Sequence, residues 1–270
     1  MSASAPAPEP RRGVLFPPPG SRTSGHGGPA RAERTATADE PGNPRWALAH
    51  RISETLRERY GAYLQAVGVH GALAHGDDTD VSEVEVVAVM RRTAMGPAPT
   101  TRRVDGVIVD LSVITAEDYL RHARTLTTSW PLVADQYLTT RPLHDPDDWL
   151  SRLRDVHLTR LAQADGQVFA TLAREAWCRA SIAHGRARRM AEWYETDAAV
   201  VVLAEARLAV AVVDGLLTRT YFRNSADAVR RAGVASAHLH ALGERLSVQS
   251  HELARRGRPV DGDIADLLGG

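Results

Sequence analysis

The chain contains no lysine: its 33 basic residues are all arginine, and they are matched by 33 acidic ones. This excludes a lysine nucleophile or a phosphate-binding lysine, and the zero formal charge leaves no global field to draw in nucleic acid or an anionic membrane surface. A single cysteine, Cys178, excludes an internal disulfide and fits a reducing, cytoplasmic setting. Its place in Trp177-Cys-Arg179, within an expected helix, suggests packing rather than nucleophilic chemistry. Long apolar runs are missing too. The most apolar segments, Val200-Val-Val-Leu203 and Leu208-Ala-Val-Ala-Val-Val213, are interrupted or bounded by Glu205, Arg207 and Asp214, which points to a bundle core rather than a membrane span. Residues 1–42 lack hydrophobic periodicity and are rich in Pro, Gly, Ala, Ser and Arg, so a disordered tail without the apolar region of a secretory signal is expected.

With 270 residues, 43% apolar and 24% charged, the chain has the composition of a globular protein of one large or two modest domains. Trp46, Leu48, Ile52, Leu56 and Tyr60 recur at helical spacing, which predicts a helix over 45–63 opened by Asn43-Pro44 and closed by Gly61. Strands are expected at 65–70, at 84–90 as its hairpin-like partner, and at 103–113. A loop with two prolines covers 93–100, and Thr115-Ala-Glu117 opens the next helix. From Asp147-Asp148 onward the pattern is helical only, with helices at 147–161, 166–189, 196–222 and 236–256. The expected class is therefore α+β. A small mixed sheet with flanking helices over 43–146 precedes a C-terminal helical bundle over 147–270, and a ligand cleft is expected between the two.

The segment richest in chemistry runs from Gly68 to Val89: strand, glycine-bearing turn, then a strand that begins with alternating carboxylates. Side chains at i and i+2 of an extended segment share a face, so Glu83 and Glu85 point together while Val84 and Val86 point inward. Two acids beside a glycine turn suggest a magnesium site, because this hard cation takes one or two carboxylates together with substrate phosphates. Alone, the pair also reads as a solvated strand face.

This segment resembles the signature of the nucleotidyltransferase superfamily that includes DNA polymerase beta, in which a Gly-Ser turn precedes a Ser-Asp-x-Asp/Glu pair. It is more similar still to the kanamycin (aminoglycoside 4′) nucleotidyltransferases. That likeness continues through Leu56-Arg-Glu-Arg-Tyr-Gly61, Val107-Ile-Val-Asp110 and Ser129-Trp-Pro-Leu-Val-Ala-Asp-Gln-Tyr137, in the family's order, over residues 45–256. The resemblance implies transfer of a nucleoside monophosphate, AMP from ATP, to a hydroxyl of a small polar acceptor such as an aminoglycoside or other natural product. It also implies a homodimer whose active sites draw on both subunits. Gly71, Ala72 and Ser82 would sit at the nucleotide, and Glu83, Glu85 and Asp110 would hold magnesium. Asp135 or Gln136 would face the acceptor.

The chain departs from the family in three places. Ala72 stands where the family has serine, and the missing hydroxyl removes one hydrogen bond to phosphate, worth about 1.5–3 kcal/mol. Glu83 replaces the usual aspartate. The family's general base is a glutamate followed one turn later by lysine, but a gap-free alignment places Ile182 and Arg186 there. A shifted register offers Glu175 and Arg179 at i, i+4, a pair that also reads as a surface ion pair, and His184 is a further candidate base. These departures equally fit a catalytically silent fold kept for binding a small molecule or nucleotide, or for scaffolding. His70 and His75 flank the turn and read more readily as solvent-facing than as phosphate contacts. Asp77-Asp78-Thr79-Asp80 lacks EF-hand spacing and reads as a loop. His238 and His240 should diverge on a helix, Trp130-Pro131 should pack, and Arg186-Ala-Arg-Arg189 reads as a solvated helix face.

Overall fold

A computed structural model describes residues 42–193 and 196–269, so residues 1–41 of the expected tail lie outside the described residues. The first helix, α1 (Pro44–Tyr60), starts as its sequence dictates: Pro44 occupies the first turn and the Asn43 side chain accepts from the Arg45 amide at 2.9 Å. Gly61 does not close it with a left-handed turn. It stays right-handed (φ −47°) and leads through one 3₁₀ turn into β1 (Leu64–His70). A short α2 (Gly71–His75) follows, then β2 (Val84–Met90).

The expected third strand is two strands. β3 (Thr100–Val104) and β4 (Val107–Thr115) form a hairpin about Asp105-Gly106, both at positive φ (50° and 82°), the requirement of a two-residue turn that Asp-Gly meets. This turn pairs Arg102 with Val109 and Thr101 with Asp110, and it places Asp110 inside β4. Thr115 caps α3 (Ala116–Arg124), its hydroxyl accepting from the Asp118 amide at 3.1 Å. Two further elements carry no strong sequence signal: α4 (Trp130–Thr139) and the edge strand β5 (Arg141–His144).

The sheet has order β3-β4-β2-β1-β5, with β2 parallel to β4 and every other pair antiparallel. Both faces of the central strands are covered, while β3 is largely exposed. Val84, Val86, Ala88 and Met90 of β2 pack with Trp46, Ala49, Leu56 and Leu73 of α1 and α2. Val87 and Val89 pack on the other face with Tyr119, Tyr137 and Leu153, which belong to α3, α4 and α5 (Trp149–Gln163). Double burial explains why β2 is a nearly continuous apolar run whose polar interruption comes at its entry. α5 is capped by Asp145, whose carboxylate accepts from the Trp149 and Leu150 amides at 2.7 and 2.9 Å, and not by Asp147-Asp148. Its Trp149, Leu150 and Leu153 lie against the sheet, so the change to a helix-only pattern precedes the change of core.

The remaining helices are α6 (Gly166–Glu192), α7 (Thr196–Thr218), α8 (Ser225–Arg231), α9 (Leu239–Arg255) and α10 (Ile264–Gly269). α6 buries Ala173, Ala176, Ala180, Ala183 and Ala187, a stripe of small residues at three- and four-residue spacing against which α7 sets Ala206, Val210 and Val213. α7 ends earlier than its apolar pattern predicts. Arg219 adopts φ 51° and the Thr220 amide turns back to the Gly215 carbonyl at 2.8 Å, which frees residues 219–224 to reach the sheet end of the molecule. Among the described residues no helix is long and apolar enough to cross a membrane.

Candidate functional site

The site begins with strand register. His70 of β1 pairs with Glu85 of β2, Glu85 pairs with Asp110 of β4, and Asp110 pairs with Thr101 of β3. Directly paired residues share a face, so four polar side chains form a row across the entry of β2. The Thr101 hydroxyl donates to Asp110 Oδ1 at 2.7 Å, and His70 Nδ1 stands 3.6 Å from Glu85 Oε1. Beneath the row, Gly71 has φ +68°, and a Cβ placed there would fall 1.6 Å from Glu85 Oε2. Glycine is needed on both counts: the backbone is left-handed and the carboxylate occupies the space of a side chain.

Two members of the row, His70 and Glu85, border a cavity of about 590 Å³ that is also lined by Gly71, Ala72, Ser82 and Glu83 and by Asp135 and Gln136 of α4, whereas Asp110 and Thr101 stand outside the lining. The sequence-derived nucleotide and acceptor positions thus meet in one place. Burial raises the Glu85 carboxyl above its ordinary range, and the negative charges of Glu83, Asp110 and Asp135 raise it further. Burial holds His70 below the ordinary imidazole value, against the pull of Asp135 and Asp110. Carboxylates gathered this closely repel one another, which favours uptake of a proton or a cation.

Among the described residues no group of three or more His, Cys, Asp and Glu side chains is arranged to hold a metal ion by itself. Glu85 and Asp110 are direct partners across β2 and β4, and the exposed Glu83 lies two residues before Glu85, so these three carboxylates are the oxygen donors that could meet a cation here.

The structure adds residues that linear reasoning missed. His75 does not face solvent: its Nε2 lies 2.9 and 3.1 Å from the two oxygens of Asp135, which is 5% exposed. The two are 60 positions apart, and no local pattern announces the pair. Arg223 and Asn224, from the loop after α7, also line the cavity, and Arg223 forms an ion pair with Asp77. Asn224 had a readable signal, an Asn followed three residues later by Asp227, whose amide donates to the Asn224 side chain at 2.8 Å. Among the described residues lining the cavity, Arg223 carries the one guanidinium.

The α6 candidates are not brought to this cavity. Glu175, Arg179 and Arg186 are exposed on the side of α6 away from its alanine stripe, and Arg179 donates to the Thr128 hydroxyl at 3.0 Å. Ile182, between them, is also exposed. His184 Nε2 donates to the Leu239 carbonyl at 2.8 Å and so serves the contact between α6 and α9. Cys178, expected to pack, is exposed because it too lies off that stripe. Trp130 packs as expected and Arg186, Arg188 and Arg189 are solvated, but His238 caps α9 from just before its first turn, so its ring does not diverge from that of His240 and stacks with it at 6.3 Å between centroids.

Compared with curated proteins, the chain is 26% identical over 111 residues to aminoglycoside nucleotidyltransferase (4′) of Staphylococcus aureus and, to the same degree, to that of a Bacillus species. Its distant relatives are nucleotidyltransferases. The matched segment is 40% of this chain and 43% of each relative, so less than half of their length is spanned. No family model matches the chain. Among solved structures, a nucleotidyltransferase-like protein from Exiguobacterium sibiricum 255-15 is similar over 77% of this chain and 75% of that one, with 12% identity and a TM-score of 0.41.

Proposed function

We propose that this chain transfers a nucleoside monophosphate, AMP from ATP, to a hydroxyl of a small polar acceptor such as an aminoglycoside or another natural product. The observation that carries the reading is the polar row His70, Glu85, Asp110 and Thr101 beside the Gly71 turn, whose His70 and Glu85 line a cavity large enough for a nucleotide. Glu83, Glu85 and Asp110 would hold magnesium. When bound, that cation neutralises triphosphate charge and orients the phosphate for in-line displacement. Ser82 hydrogen-bonds to Thr79, shaping the loop before Glu83, and Arg223 offers the triphosphate a fixed cation in a chain without lysine. Gln136 lies on the opposite wall, where an acceptor would enter. We include a homodimer in the proposal, because Glu175, Arg179 and Arg186 stand exposed on α6 where a second copy could use them. Residues 43–146 would then supply the nucleotide site together with its α4 wall, and residues 147–270 the segment bearing Arg223 and Asn224.

A second reading, nucleotide binding without turnover, is favoured by Ala72 in place of a hydroxyl and by the absence of Glu175 from the cavity lining. Incubation of the chain with labelled ATP, magnesium and kanamycin or neomycin separates the two. The first reading expects pyrophosphate release and an acceptor heavier by one AMP, both lost in Glu85→Ala. Magnesium-dependent ATP binding with no product for any acceptor would establish the second.

A further inference from the structure

We propose that His75, held by Asp135, is the general base that takes the proton from the acceptor hydroxyl, an inference that rests on the nucleotidyl-transfer reading above. Three observations support it. Both side chains line the cavity, and neither belongs to the carboxylate row. Asp135 is buried, and both of its oxygens lie within hydrogen-bond reach of the same ring nitrogen, Nε2 of His75, at 2.9 and 3.1 Å. A carboxylate accepts only, so Nε2 carries the hydrogen and Nδ1 keeps its lone pair for another proton. A buried carboxylate that fixes an imidazole tautomer and then faces the imidazolium is the arrangement by which histidine serves as a base.

The other groups at the cavity are engaged elsewhere. Glu83 and Glu85 are assigned to the cation, Asp77 is paired with Arg223, and His70 stands against Glu85. Glu175 lies outside the lining altogether. In the step itself, the acceptor O–H proton passes to Nδ1 of His75 while the oxygen forms a bond to the α-phosphorus of ATP. The bond from that phosphorus to the bridging oxygen breaks, and pyrophosphate leaves with the electron pair. Asp135 does not touch the reacting atoms; it is a positioning residue that sets the tautomer and balances the charge formed on the ring.

The pair also ties α2 to α4, so the test must separate chemistry from structure. With magnesium, ATP and kanamycin or neomycin, His75→Gln and Asp135→Asn should each lower kcat by a factor of about 10² to 10⁴. Calorimetric affinity for magnesium-ATP and the acceptor KM should stay within about threefold of wild type, since the base acts in the transition state. Imidazole added to His75→Ala should restore part of the rate, which a lost tie between helices would not allow. Nitrogen-15 spectra of the histidine rings should show His75 of the full chain protonated at Nε2, with that preference lost in Asp135→Asn.

A kcat for His75→Gln within threefold of wild type overturns the inference and leaves nucleotidyl transfer standing. So does a loss confined to Glu175→Gln, which would give the base to α6 of a second copy. An Nδ1–H tautomer in wild type overturns it without recourse to any variant. A wild-type chain that binds magnesium-ATP but forms no product removes the transfer reading and this inference together, a result unlike any of the others.

Discussion

Gly71 shows how one residue can be fixed twice over. Its left-handed φ excludes most side chains on backbone grounds, and the Glu85 carboxylate fills the place where a methyl group would go. Gly71→Ala should therefore shift Glu85 or open the turn. We expect a loss of about 1–3 kcal/mol in stability and at least a tenfold weaker magnesium-ATP affinity, measured by denaturant titration and calorimetry. An unchanged affinity would mean that Glu85 does not need its present position. The glycine turn and the acids were legible in sequence because they lie within one strand-turn-strand segment. His75 and Asp135 were not, since residues 60 positions apart meet only through packing.

At the scale of elements, His157 on α5 joins three helices. Its Nδ1 donates to the Ala123 carbonyl at the end of α3 at 2.7 Å, and its Nε2 accepts from the Trp130 indole of α4 at 3.2 Å. The ring is 0% exposed, and burial depresses its basicity, with the bond to Ala123 pulling the other way. Above the ordinary histidine value of about 6.5 both folded and unfolded chains hold this ring neutral. Below it the unfolded chain binds a proton that the folded chain refuses, so stability falls as pH drops, until the depressed folded value is reached. A melting-temperature series across this range should show that slope, and His157→Gln should flatten it while lowering the neutral-pH melting temperature. A slope unaltered by the substitution would place the acid sensitivity elsewhere. The starts of α1 and α3 were readable from Asn43-Pro44 and Thr115, but the end of α1 was not, since Gly61 stays right-handed. The β3–β4 hairpin was obscured because alternation continues through Asp105-Gly106, and only the turn dipeptide marks the reversal.

For the molecule as a whole, the core around Phe169 carries the helical part to the site. Phe169 is 1% exposed and meets Trp130 edge-on at 5.1 Å between ring centroids, at the start of the helix that presents Asp135 and Gln136. The Phe222 amide bonds to the Pro131 carbonyl at 2.7 Å, which brings the segment bearing Arg223 to the same place. Phe169→Ala should destabilise the chain by about 3–5 kcal/mol, read from a urea transition. A change below 1 kcal/mol would show that α4 is held by the sheet alone.

By itself the sequence determined the α+β class, the helical C-terminal portion and the acid-bearing entry of β2, because periodicity, caps and glycine turns act over a few residues. Tertiary structure alone decided which carboxylates became neighbours, since strand order sets Glu85 beside Asp110, residues with 24 others between them in the chain. It also decided that α6 turns Glu175 and Arg179 outward: the alanine stripe that lets α7 approach closely fixes the rotation of the helix, and every residue on its far face follows.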